Sequence, residues 1–171
     1  MTAPFNTIDL TTLALKAGEG RRLETEVTLE DVEMGGQTYS FRAAVPVRLD
    51  ISRTATGHAL KLNLSATLEG TCMRCLEPAS IPVDVDAREV HQPTADDEEL
   101  TSPYVVDSEL DVGTWAHDAL VLALPQTLLC RPDCAGLCPE CGVPLNGVDP
   151  AEHGHDNPPD PRWAKLRELL D

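Results

Sequence analysis

The six cysteines of this chain fall into two groups, Cys72 and Cys75, then Cys130, Cys134, Cys138 and Cys141. Cys72-Met73-Arg74-Cys75 is a CxxC knuckle, a spacing that lets two thiolates reach one tetrahedral ion about 2.3 Å away. The second group contains Cys138-Pro139-Glu140-Cys141-Gly142, in which the glycine relieves crowding where backbone amides turn toward a thiolate sulfur. Downstream of the Asn146-Gly147 turn, His153-Gly154-His155 adds two imidazoles, and Gly154 supplies the freedom the pair needs to face one ion. If Cys130 and Cys134 share an ion with Cys72 and Cys75, the fold has to return its cysteine-rich tail to the segment around residue 72.

Ligand counting suggests a partition. Cys138, Cys141, His153 and His155 make a local Cys₂His₂ site, while Cys130 and Cys134 join Cys72 and Cys75 in a Cys₄ site that ties the tail to the rest of the chain. Two structural Zn²⁺ ions with no open coordination position are the expectation, and such closure contributes folding free energy directly. A second partition stays open, with one four-ligand site, spare cysteines, and His153 and His155 on a polar exposed turn. A CxxC pair also serves redox chemistry, but that needs a parallel βαβ setting, and the flanking pattern here is antiparallel.

The start, Met1 to Leu10, has neither a basic region nor an apolar run, and no segment approaches the roughly 20 apolar residues of a membrane span. The expectation is a cytoplasmic protein that does not engage a membrane. In that compartment clustered cysteines read as metal ligands rather than disulfides. The net charge of −16 is opposite to the footprint of a nucleic-acid binder and favours a basic protein partner. Arg21, Arg22, Arg42, Arg48, Arg53 and Lys61 concentrate positive charge in the first third; they read as solvated strand faces balanced by nearby acids, with a local RNA patch as the alternative.

The fold class expected is α+β, mainly antiparallel β: a meander or partly open barrel with a few short helices and a C-terminal cysteine-rich tail. Residues 1–125 form the β domain and 126–171 the tail, packed on the same domain. Thr11 to Gly18 is a short helix candidate stopped by glycine. Ala44–Ile51 and His58–Ala66 alternate apolar and polar residues about a Thr54–Gly57 turn, predicting a hairpin. A third strand, Ala79–Val90, follows the CxxC, and runs around Leu23–Leu29 and Tyr39–Val47 add others. The acidic, proline-bracketed stretch from His91 to Pro103 reads as an exposed loop. Asp111 caps a helix over Val112–Leu124 with Trp115, Ala119, Leu122 and Ala123 on one side, ended by Pro125, and Arg162–Leu170 forms a terminal helix.

Together these strings resemble a known family. Cys72-x-Arg74-Cys75-Leu76 after a strand, Ala123-Leu124-Pro125, the run Cys130 through Leu145 and Asn146, and Asp160-Pro161-Arg162 look like the YceD family, the large ribosomal RNA subunit accumulation proteins. The resemblance runs from about Leu60 to the C-terminus. One departure is that many relatives carry a Cys-x-Cys pair where this chain has His153-Gly154-His155; imidazole can replace thiolate on zinc. The resemblance implies a bacterial factor that supports accumulation of 23S rRNA and the large ribosomal subunit, its partner being rRNA or a basic ribosomal protein. It implies no reaction and no small-molecule substrate.

The residues agree with that silence. A zinc deaminase needs HxE upstream of PCxxC, and the upstream candidate here is His117-Asp118. No GxSxG elbow is present. His58, His91 and His117 read as isolated surface or helix-face residues. The expectation is a non-enzymatic, metal-stabilised binding module; an acidic interaction adaptor unrelated to ribosomes is the alternative.

Overall fold

A computed structural model describes residues 6–41, 44–94, 100–149 and 153–155. Two open antiparallel sheets and one α-helix account for its regular structure.

The larger sheet is built on two long strands. β6 (His58–Thr71) and β7 (Pro78–His91) pair along their whole length, from His58↔His91 to Thr71↔Pro78. β5 (Val45–Arg53) runs along the other edge of β6, and β2 (Gly20–Val27) pairs with β5 in turn. The β5–β6 hairpin closes at Thr54–Gly57, where the Thr54 amide donates to the Gly57 carbonyl at 2.9 Å. β4 (Gln37–Phe41) occupies the same edge of β6 further along, and β3 (Val32–Met34) pairs with β4. A small sheet of order β1-β9-β8 joins Thr7–Asp9 to Glu109–Asp111 and Val105–Val106.

Alternation decides the faces. Val45, Val47, Leu49 and Ile51 of β5 meet Leu60, Leu62, Leu64 and Leu68 of β6 and Val83 and Val85 of β7 in one buried layer, because successive strand residues point to opposite sides. On the outer face, cross-strand charges pair. Arg22 makes a two-pronged contact with Asp50 (2.6 and 3.2 Å), Lys61 lies 2.8 Å from Asp86, and Arg48 donates to Asn63 at 3.1 Å. The Arg22 guanidinium holds the Asp50 carboxyl below its ordinary range. These basic residues sit among acids rather than forming an unopposed patch; Arg42 lies outside the described residues.

α1 (Val112–Ala123) covers the inner face, its start capped by Asp111, whose carboxylate accepts from the Thr114 amide at 2.9 Å. The buried stripe is Val112, Trp115, Ala116 and Leu120, a run of i, i+3, i+4, i+8. Leu122, expected beside Trp115, is 87% exposed: it lies only about 20° from Trp115 around the axis, but on the outer edge of the buried stripe and in the last turn of the helix. The expected helix over Thr11–Gly18 is instead a single 3-10 turn, Leu10–Leu13, capped by Asp9 and stopped at Ala14 in left-handed conformation. Leu10 and Leu13, three apart, point into the core together, and Thr11 and Thr12 bond to Asp9 rather than supporting further turns. The N-terminal strand β1 and the pair β8 and β9 went unread in the sequence. The expected terminal helix lies outside the described residues.

Candidate metal centres

The CxxC knuckle occupies the six-residue connection between β6 and β7, so the longest hairpin among the described residues delivers it. The Cys72 amide donates to the Glu77 carbonyl at 2.8 Å, the Leu76 amide to the Cys72 carbonyl at 3.0 Å, and Leu76 takes a positive φ of 63° to close the turn. Leu128, fully buried, anchors the returning chain: its carbonyl accepts from the Met73 amide at 2.9 Å. Gly70 makes room for this contact. A Cβ there would stand 2.4 Å from Tyr39 Cδ1 and 3.0 Å from Leu128 Cδ2.

That return brings Cys130 and Cys134 onto Cys72 and Cys75. The Sγ atoms of Cys72 and Cys134 are 3.8 Å apart and those of Cys75 and Cys130 are 3.5 Å apart. All four sulfurs lie within 4.8 Å of one another. Disulfide bonds would put sulfurs about 2.05 Å apart, so these are thiols. A tetrahedral ion with metal–sulfur bonds of about 2.3 Å requires sulfur–sulfur edges of about 3.8 Å, which matches the closest pairs. Arg74 braces the group by donating to the Cys134 carbonyl at 2.9 Å.

Cys138, Cys141, His153 and His155 form the second group, again with all ligand atoms within 4.8 Å. His155 Nε2 is 3.2 Å from Cys138 Sγ, His153 Nε2 is 3.5 Å from Cys141 Sγ, and the two Nε2 atoms are 3.1 Å apart. Tetrahedral edges for bonds of about 2.0–2.1 Å to nitrogen and 2.3 Å to sulfur come to about 3.5 Å for mixed pairs and about 3.4 Å between nitrogens. The other ring nitrogen of His155 faces Glu140, 3.3 Å from Oε2, the carboxylate contact that commonly orients an imidazole toward a metal. Cys138 is buried, Cys141 exposed. The knuckle is a small hairpin in which the Gly142 amide donates to the Cys138 carbonyl and the Cys138 amide to the Val143 carbonyl, both at 2.8 Å.

The electrostatics also suit a cation. Burial works to raise the Cys72 thiol, but the amides of Cys75, Cys130 and Arg74 aimed at its sulfur outweigh burial and bring it to about 6. Cys138 falls to about 6 through the His153 imidazole and the amides of Cys141 and Glu140. Cys134 is lowered, first by the side chain of Asn146. Cys130 moves the other way, pushed up to about 12 by burial and by the neighbouring sulfurs. Four sulfurs this close cannot all carry charge unless something positive sits among them. Each group therefore could hold a metal ion.

The histidines read as isolated behave differently. His58 and His91 are cross-strand partners at the open end of the β6–β7 hairpin, and both have a buried Nδ1 with no hydrogen-bond partner. His117 lies on α1, 3.3 Å from Asp118. Four residues outside the sequence-derived ligand set bear on the metal centres: Arg74, Asn146, Glu140 and Leu128. Asn146 and Glu140 fall within the recognised string, but nothing in their spacing marks which sulfur or imidazole they meet.

An antiparallel sheet whose longest described hairpin ends in one half of a four-cysteine cluster, followed by a cluster of two cysteines and two histidines, defines a mainly β protein with two candidate metal clusters toward its C-terminus. The chain belongs to the YceD family, described as large ribosomal RNA subunit accumulation protein YceD, whose model matches residues 60–170. An uncharacterized protein of Mycobacterium tuberculosis is 38% identical over 134 residues, covering 75% of this chain and 63% of the relative, and one of Mycobacterium bovis gives the same figures. An uncharacterized protein of Mycobacterium leprae is 29% identical over 169 residues, covering 95% of this chain and 76% of the relative. The chain thus spans 63% of the length of the first of these relatives. No solved structure matches it. Among the described residues, no helix is long and apolar enough to cross a membrane.

Proposed function

We propose that this protein supports accumulation of the large-subunit rRNA as a non-catalytic binding module in the bacterial cytoplasm, held together by two structural zinc ions. The observation that carries the reading is the family match over residues 60–170, a span that contains all eight candidate ligands. Cys72, Cys75, Cys130 and Cys134 hold one ion and Cys138, Cys141, His153 and His155 the other. Zinc suits sulfur-rich tetrahedral sets of this kind. With four protein ligands on each ion no position is left for substrate, so the metal builds a surface. Residues 1–125 supply the sheet and 126–171 the tail; the Cys₄ ion fastens the tail to the sheet and the Cys₂His₂ ion folds the tail on itself.

Charge bears on the partner. On the outer sheet face Arg22 is matched by Asp50 and Lys61 by Asp86, and the chain carries −16 overall. Phosphate binding needs unopposed Lys and Arg, so the direct partner is a basic protein of the large subunit, through which the rRNA is protected. Depletion in the native host is expected to lower 23S rRNA and 50S particles. Low-salt affinity purification, with RNA sequencing and mass spectrometry on one eluate, is expected to recover large-subunit proteins, with RNA lost on nuclease treatment. Unchanged 23S rRNA after depletion would sink the proposal; recovery of RNA without protein would make rRNA the direct partner. Metal analysis of the purified chain checks the zinc.

A further inference from the structure

Asn146 stands where the two clusters meet. Its amide Nδ2 is 3.4 Å from Cys134 Sγ and 4.0 Å from Cys130 Sγ, while its Oδ1 accepts from the Ala135 amide at 2.9 Å. The contact with Ala135 fixes the orientation of the amide, since an oxygen has to face the Ala135 N–H and the NH₂ group then faces the sulfurs. Asn146 is delivered by the other cluster. The Cys138–Val143 hairpin is zipped by the Leu137↔Pro144 bridge and by the Leu145 amide donating to the Gly136 carbonyl at 2.8 Å. Gly136, at φ +79°, packs its α-carbon against the Arg74 carbonyl of the first knuckle, where a Cβ would stand 3.2 Å away. A continuous set of contacts therefore runs from Cys138 to Cys134.

Resting on the zinc reading above, we propose that Asn146 is a positioning residue through which occupancy of the Cys₂His₂ site strengthens metal binding by the Cys₄ site. An N–H donor on a coordinated thiolate draws off part of its negative charge and fixes its direction, so that four sulfurs can crowd one dication. An ion on Cys138 and Cys141 holds the 137–145 hairpin closed, and the closed hairpin keeps the Asn146 amide on Cys134. Without that ion the hairpin is free to open and the donor leaves the sulfur. By linkage the coupling is reciprocal.

The test uses the full chain loaded with Co(II), whose all-sulfur and mixed sulfur–nitrogen sites have different charge-transfer bands, with a competing chelator titrated against each. Asn146→Asp keeps an oxygen for the Ala135 amide but turns a carboxylate oxygen toward Cys134. It is expected to lower Cys₄-site affinity about 10–100-fold, the range for lost outer contacts to ligands, while the far-ultraviolet circular dichroism of the folded sheet below its melting transition stays unchanged. His153→Ala empties the mixed site and is expected to weaken the Cys₄ site by about fivefold or more. In an Asn146→Ala background the same His153→Ala change is expected to leave the Cys₄ site where Asn146→Ala alone puts it. Equal fold-losses from His153→Ala in both backgrounds overturn the coupling, and an Asn146→Asp protein that retains its Cys₄ ion like the wild type overturns the role of Asn146. A wild-type chain that takes up no cobalt and contains no zinc overturns the metal reading itself, and the inference with it.

Discussion

Truncating Leu128 to alanine separates packing from ligation at the joint between sheet and tail. Leu128 is fully buried, sits over Gly70, and hands its carbonyl to the Met73 amide inside the first knuckle. Removing three buried carbons forfeits about 2.4 kcal/mol of transfer free energy at about 0.8 kcal/mol each. The space cannot collapse fully, because the Tyr39 ring and the β6 backbone hold its walls, so the cavity term brings the cost to about 3–4 kcal/mol. In a chain of this size each kcal/mol lowers the melting temperature by about 2–4 °C, giving a drop of about 6–16 °C for Leu128→Ala. Leu122→Ala on α1, where the side chain is 87% exposed, is the control and is expected to move the midpoint by less than about 2 °C. The assay is thermal unfolding followed by far-ultraviolet circular dichroism, with metal content measured on the same samples. Leu128→Ala should also release metal from the Cys₄ cluster before the Cys₂His₂ cluster. If Leu128→Ala and Leu122→Ala melt together, the anchoring argument is wrong.

Cys72→Ser removes a ligand that β6 presents, so it is expected to lower the ion count by at least one and to destabilise sheet and tail together in thermal unfolding. His155→Ala is expected to cost one ion while the sheet melts near the wild-type temperature; equal losses from the two changes would contradict separate roles for the clusters. Burial holds His58 below the ordinary imidazole value, helped by the Arg53 charge, and burial does the same for His91. A histidine with a depressed folded-state value takes up its proton more readily when unfolded, so its stabilising contribution is complete above about pH 6.5 and declines as pH falls below it. Urea unfolding between pH 7.5 and 5.5 is expected to show a shallower loss of stability for a His58→Gln/His91→Gln variant than for the wild type, and parallel curves would refute this.

Much of the molecule is legible in its sequence. The period-two run from Val45 to Ile51 and Leu60 to Leu68 could only bury one face as strands, and the Thr54–Gly57 break between them could only be a hairpin. Ligand counting suggested grouping Cys72 and Cys75 with Cys130 and Cys134, because a tetrahedral ion takes four donors and short loops orient their own pairs, and it left a single four-ligand site open; the structure brings those four sulfurs within 4.8 Å of one another. What sequence could not supply is everything that depends on contacts between distant residues. The stripe of α1 that is buried depends on where β7 lies, so Leu122 ended in solvent and Leu120 in the core. The N-terminal segment became a strand because β9 offered it an edge, a three-residue pairing too short to leave a periodic signal. His58 and His91 are 33 positions apart and became neighbours only through the β6–β7 register. Asn146 is the clearest case. Local chemistry marks it as a turn residue, and only the closure of one cluster's hairpin against the other's knuckle puts its amide on a sulfur. Periodicity and ligand valence are local properties and can be read along the chain, whereas the second neighbours of a ligand are set by tertiary packing.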